Sequence, residues 1–165
     1  MDIKVVSSFG VGKTLLSAFD AALFNSGVHN YNLIYLSSVI PPSSNITEVK
    51  QVTDIGGEWG DRLYVVHADS RSDVEGAYAG AGVGWYQFDD GRGVFVEHSG
   101  KWGSMLAAEE SLQDQIRKSI KDLCIVRGIK YVESDVNMRL SVGVVKKEPV
   151  CALVLAVFKV ESWFN

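Results

Sequence analysis

Tyr35-Leu36-Ser37-Ser38-Val39-Ile40-Pro41-Pro42 is the stretch from which the rest of the chain reads outward. The apolar run Leu33 to Leu36 predicts a buried strand that ends in two adjacent serines. Two prolines follow three residues later. Proline donates no ladder hydrogen bond and biases the residue before it towards extended backbone. Ser37 and Ser38 therefore sit where a strand leaves its sheet, held from both sides. A hydroxyl in that place can attack the carbonyl of the preceding residue. A lone Ser-Ser pair is also an ordinary turn signal, so the surrounding residues decide between the two readings.

Upstream, Ile3–Ser7 predicts a strand and Phe9–Gly12 a turn. A helix is expected over 13–26, with Leu15, Leu16, Phe19, Ala22 and Leu23 at helical spacing and Gly27 as its left-handed stop. Asp20 and Leu23, three apart, share a face of that helix. Downstream, residues 46–52 read as an edge strand, Gly56-Gly57 as a turn and Leu63–Val66 as a strand. The polar residues 70–75 read as a turn or short helix. Residues 79–88 and 94–97 form a hairpin around Asp89–Gly93, with Gly80, Gly82 and Gly84 on one face, ready to pack against close backbone or another subunit. A long helix runs from Ser104 to Arg127, its apolar stripe made by Met105, Leu106, Leu112, Ile116, Ile120, Leu123 and Cys124. Tyr131–Val136 reads as a strand. Residues 138–145 and 150–160 read as strands joined by the hairpin signal Lys146-Lys147-Glu148-Pro149. Residues 151–158 are apolar on both faces and need cover on both sides. Two helices and seven or eight strands make an α+β pattern.

With 165 residues, 47% apolar and 22% charged, the chain has the composition of one globular domain. A net charge of −4 gives no footprint for nucleic acid. No apolar run is long enough to span a membrane, and Met1-Asp2-Ile3-Lys4 lacks a secretory h-region. A cytoplasmic protein is expected. Cys124 and Cys151 fit no disulfide or metal spacing and read as buried thiols. His29, His67 and His98 form no metal-ligand pattern either, and His98 points to the face opposite Glu97 on a strand.

Two motifs compete for the first third. Ser7-x4-Gly12-Lys13-Thr14 follows a strand and opens a helix, as a phosphate-binding P-loop does, with Asp69 at the end of Leu63–Val66 as a candidate magnesium ligand. Ser7 stands where such a loop has its first glycine, and the strand-helix repeats of a nucleotide-binding sheet are missing. The second motif is longer. Ala18-Phe19-Asp20-x-Ala22-Leu23, Asn32-Leu33 and Ser37-Ser38-x-x-Pro41-Pro42, followed by Val94-Phe95-Val96-Glu97 and Gly100, resemble the pyruvoyl-dependent arginine decarboxylases in order and spacing.

That resemblance implies a four-layer αββα sandwich with antiparallel and mixed sheets, assembled as a homotrimer with active sites between neighbours. It implies a proenzyme of residues 1–165, a single domain, that cuts itself between Ser37 and Ser38 into a short chain 1–37 and a long chain 38–165. Ser38 becomes the pyruvoyl group, an electron sink that replaces pyridoxal phosphate, and no metal is expected. L-arginine is converted to agmatine, a step of polyamine biosynthesis. By the same resemblance Glu97 returns a proton to the substrate α-carbon. Asn32 donates to the oxyanion of self-cleavage or orients the substrate, and Asp20 receives the guanidinium. Leu23 and Val39 line the methylene stem. A carboxylic acid serves as proton donor at neutral pH when burial raises its pKa, and the apolar strand around Glu97 can provide that burial. A pyruvoyl enzyme acting on another amino acid is the related alternative.

Overall fold

The computed structural model describes residues 1–164. Its elements are β1 (Asp2–Val11), α1 (Leu15–Ser26), β2 (Asn32–Tyr35), β3 (Val39–Ile40), β4 (Asn45–Val49), β5 (Arg62–Ser72), β6 (Tyr78–Gln87), β7 (Gly93–Trp102), α2 (Met105–Val126), β8 (Asn137–Val144) and β9 (Val150–Glu161). They build one five-stranded sheet in the order β2-β5-β9-β1-β4 and one four-stranded sheet in the order β3-β7-β6-β8. The larger sheet is mixed, since β1–β4 and β2–β5 pair parallel and the rest antiparallel. The smaller sheet is antiparallel throughout.

Three apolar layers hold the sandwich together. Between the sheets, Ile3, Val5, Val66, Val154 and Phe158 meet Ala81, Val83, Trp85 and Phe95. On the outer face of the larger sheet, Ala18, Ala22 and Leu23 of α1 pack on Val6, Leu63, Val65, Leu153 and Leu155. On the outer face of the smaller sheet, Ile116, Ile120 and Cys124 of α2 pack on Tyr86, Val94 and Val96. The α+β sandwich expected from the sequence is thus the observed fold, with layers in the order helix, sheet, sheet, helix. The cover required by 151–158 is a helix on one side and the second sheet on the other, which makes β9 the central strand of its sheet.

Several local expectations change. Phe9–Gly12 is not a turn: β1 runs on to Val11, and Gly10 is needed because a side chain there would collide with the α1 backbone at Ala18. β5 likewise continues to Ser72, paired residue by residue with β9. The link 146–149 is no hairpin but a crossover, since β8 is an edge strand of one sheet and β9 the centre of the other. Tyr131–Val136 holds a single 3-10 turn, Glu133–Asp135, instead of a strand. What packs closely on Gly80, Gly82 and Gly84 is side chains, those of Leu112 and Ile116 from α2 together with Trp102 and Leu140. A β-carbon on Gly84 would lie 2.2 Å from Ile116 Cγ2.

Both helices rotate relative to their apolar patterns. In α2 the buried stripe is Ala108, Leu112, Ile116, Ile120 and Cys124, at strict four-residue spacing, and Met105 and Leu106 are exposed. In α1 the buried positions are Ala18, Ala22, Leu23 and Ser26, which leaves Leu16, Asp20 and Phe24 in a row on the outside. Asp20 and Leu23 therefore fall on opposite sides of the boundary between core and solvent.

The P-loop reading fails on the same region. β1 lies between an antiparallel and a parallel neighbour. Thr14 caps α1 through a reciprocal capping box with Ser17, and the Gly12 N–H donates to the Pro149 carbonyl at 3.0 Å. The Gly12 and Thr14 amides, two of those that would cradle a phosphate, are occupied. Asp69 is paired with Arg71.

Candidate active site

β2 and β3 are edge strands of different sheets, and the two serines lie in the link between them. Each sheet grips one side of that link. The Leu36 N–H donates to Val65 O at 2.9 Å, which extends the β2–β5 ladder by one bond. The Ser38 carbonyl accepts from the Phe95 N–H at 2.8 Å, next to the Val39–Val94 pair of β3 and β7. Ser37 is left between the two grips, exposed.

Ser38 has φ 67°. Left-handed backbone costs an L-residue about 1–2 kcal/mol. Among the described residues Ser43 is the other non-glycine with positive φ, so this strain is confined to the segment around the serines. The Ser38 hydroxyl donates to Oε1 of Glu97, which is half-buried on β7. The strained backbone is compensated by a hydrogen bond to a carboxylate, which is stronger than one to a neutral acceptor. The alternation of β7 sends Glu97 towards Ser38 and His98 the other way, where its Nε2 lies 2.9 Å from Ser119 Oγ on α2. Burial pushes the His98 pKa down, opposed by Glu97 next door.

The other sequence-derived residues are placed as follows. Asn32 opens β2, and its Nδ2 donates to Gly60 O at 2.6 Å, an acceptor shared with the indole N–H of Trp163 at 2.9 Å. Asp20 is exposed on α1 between the exposed side chains of Leu16 and Phe24. Leu23 is buried beneath α1, and Val39 is 58% exposed. Ser38 and Glu97 are thus brought together. Among the described residues no hydrogen bond or ion pair joins Asp20 or Asn32 to them. Two surface grooves, one lined by Lys4, Thr47 and Lys159 and one by Phe9, Met105 and Val144, contain none of these residues.

Sequence reasoning missed a cluster beside the serines. Tyr35 stacks on His67 with ring centroids 4.6 Å apart and planes 13° from parallel. His67 Nε2 lies 3.3 Å from Asp69 Oδ1, and Arg71 Nε donates to Asp69 Oδ2 at 2.7 Å. The Arg71 guanidinium sits 3.8 Å from the Phe19 ring centre, and the Phe19 and His67 rings lie perpendicular with centroids 6.0 Å apart. Burial pushes the His67 pKa down, with Asp69 opposing it. Burial, with Asp69 adding to it, pushes the thiol of neighbouring Cys151 up to about 12, so it is no nucleophile. The sequence carried one signal for the cluster: His67, Asp69 and Arg71 alternate and must share one face of a strand that begins as an apolar run.

The fold and the junction define a class: an α+β sandwich with a left-handed serine in the link between its two sheets, against a carboxylate. The family model described as pyruvoyl-dependent arginine decarboxylase matches residues 2–162. The chain belongs to that family. It is 37% identical over 114 residues to the pyruvoyl-dependent arginine decarboxylase of Halobacterium salinarum, 69% of this chain and 64% of the relative's length. It is 35% identical over 149 residues to that of Pyrococcus horikoshii, covering 88% and 86%. It is 27% identical over 152 residues to pyruvoyl-dependent arginine decarboxylase 2 of Archaeoglobus fulgidus, covering 87% and 96%.

Proposed function

We propose that this chain is a self-processing pyruvoyl-dependent decarboxylase, a carbon–carbon lyase that converts L-arginine to agmatine and carbon dioxide. The observation that carries the reading is Ser38: left-handed backbone, hydroxyl on the Glu97 carboxylate, and a sheet gripping the chain on each side. Those features suit an attack of Ser38 Oγ on the carbonyl carbon of Ser37. The Glu97 carboxylate is positioned to take the hydroxyl proton as the C–O bond forms, and the C–N bond of the old peptide breaks to leave an ester and the free amine of residue 38. Loss of the residue-38 α-proton then expels the Ser37 carboxylate. Addition of water and loss of ammonia convert residue 38 to the pyruvoyl group.

Once formed, that group supplies an electrophilic carbonyl that draws off the electron pair left by departing carbon dioxide. Glu97 holds the proton that returns to the substrate α-carbon. Asp20 receives the guanidinium, for which a carboxylate offers paired acceptors. Val39, exposed beside the junction, flanks the methylene stem, whereas Leu23 is packed into the core beneath α1 and does not face it. Asn32, with one Nδ2–H on the Gly60 carbonyl, keeps its second Nδ2–H to donate to the oxyanion or the substrate. A trimer with sites between neighbours fits the surface, because Leu16, Phe24, Tyr35 and Val39 expose apolar area around Asp20 and the junction. A protein of the cytoplasm is the matching location; among the described residues no helix is long and apolar enough to cross a membrane.

The deciding experiment is an intact mass spectrum under denaturing conditions, followed by assay of agmatine release from L-arginine against other amino acids. Two chains, 1–37 and 38–165, the longer one reducible by borohydride, are expected. A full-length chain that stays uncut on incubation would sink the proposal.

A further inference from the structure

The mechanism above fixes the nucleophile but leaves open what fixes its target. Oγ and the carbonyl carbon must approach within about 3–3.5 Å in line for attack, and a misplacement of about 1 Å costs on the order of 100-fold in rate. On the Ser38 side the chain is held by Phe95 and Glu97. On the Ser37 side β2 is a four-residue edge strand that pairs only with β5, and its last main-chain bond is at Leu36.

The one ring anchoring that end is Tyr35, two residues before the carbonyl. It is 61% exposed, so its position owes little to burial. The surface beneath it is packed from several sides. His67 is nearly buried, edged by Phe19 and backed by Asp69, which Arg71 holds in turn from its seat on Phe19. Phe19 adjoins Asp20, so the brace also reaches the helix that carries the guanidinium site. Asp69 and Arg71 are the charged groups facing His67, and Tyr35 is the titratable one.

We infer that the stack of Tyr35 on His67 is the positioning device of self-cleavage, setting the end of β2 so that the Ser37 carbonyl meets Ser38 Oγ. The inference rests on the self-cleavage reading given above. Tyr35 and His67 act through the backbone and take no proton in the reaction.

The test follows freshly translated proenzyme by intact mass, with and without hydroxylamine, which splits the ester but not the peptide. Wild type, Tyr35→Phe and His67→Phe keep a ring on each side and are expected to cut at similar rates. Tyr35→Ala and His67→Ala are expected to cut on the order of 10- to 100-fold more slowly, with melting temperature and near-ultraviolet circular dichroism of the Tyr35→Ala chain close to those of uncut Ser38→Ala. Hydroxylamine should not restore their rate, because the acyl shift itself is the lost step. Folded Tyr35→Ala that cuts at the wild-type rate overturns the inference. So does slow cutting that hydroxylamine restores, since the ester would then form normally. A wild-type chain that never cuts refutes the self-cleavage reading and this inference with it, a result distinct from both.

Discussion

Replacing Ser38 by alanine and by glycine separates the strain at this residue from its chemistry. Both variants lose the hydroxyl, so both should remain one uncut chain. They also lose the hydrogen bond to Glu97 equally, a contact to a charged group of about 1.5–3 kcal/mol. Alanine keeps the β-carbon at φ 67°, whereas glycine removes it. Release of left-handed strain favours glycine by about 1–2 kcal/mol. The larger backbone freedom of glycine in the unfolded chain takes back about 0.5–1 kcal/mol. The net advantage of glycine is about 0.5–1 kcal/mol, which in a domain of this size is a rise in Tm of roughly 1–4 °C. Thermal denaturation of the two purified variants at equal protein concentration measures it, with intact mass confirming that neither is cut. An alanine variant that melts at or above the glycine variant would refute the claim that Ser38 is strained. Cleavage of either would remove Ser38 as nucleophile.

Glu97→Gln retains an oxygen to accept from Ser38 but cannot take or return a proton. It should cut more slowly than wild type and, once cut, lose at least about 100-fold in kcat; unchanged agmatine release would take Glu97 out of the mechanism. Asp20→Asn should process normally and raise KM for L-arginine by roughly 10- to 100-fold, the worth of a charge-assisted contact. Steady-state kinetics on fully cleaved protein would show it, and an unaltered KM would place the guanidinium elsewhere. Gly84→Ala forces a methyl into Ile116 of α2 and should cost about 1–3 kcal/mol of stability; a melting temperature equal to wild type would mean that α2 moves away freely.

The strand end at the junction was legible in the sequence because strand, double serine and double proline constrain one another through the backbone, but its burial was not: β2 is an exposed edge strand and not the buried one its apolar residues suggest. The burial of 151–158 on both faces was legible for the same reason, as it depends on side-chain polarity and not on partners. The link at 146–149 was not, because a tight polar turn looks alike whether it joins neighbours in one sheet or throws the chain across to the next. The rotation of α1 and α2 was hidden too. Leu15, Leu16, Met105 and Leu106 suit a core by composition, yet small residues such as Ala18 and Ala108 are the ones that face it. Ser38 and Glu97 were singled out through ordered motifs. Their hydrogen bond, and the stack of Tyr35 on His67, depend on two sheets and a strand register that local patterns do not carry.

The position of β1 has a further consequence. It is an interior strand, laid between β9 and β4, and every residue of it belongs to the part of the chain before Ser37. A cut after Ser37 would leave the sheet intact but turn its assembly from an event within one molecule into an encounter between two. The covalent link keeps β1 at high effective concentration near its slot, and that advantage disappears with the bond. The order of events is then one-way: fold first, cut second. Mature protein that is fully denatured and diluted should regain its fold far less readily than the uncut Ser38→Ala chain, so its persistence would be a matter of how slowly it unfolds.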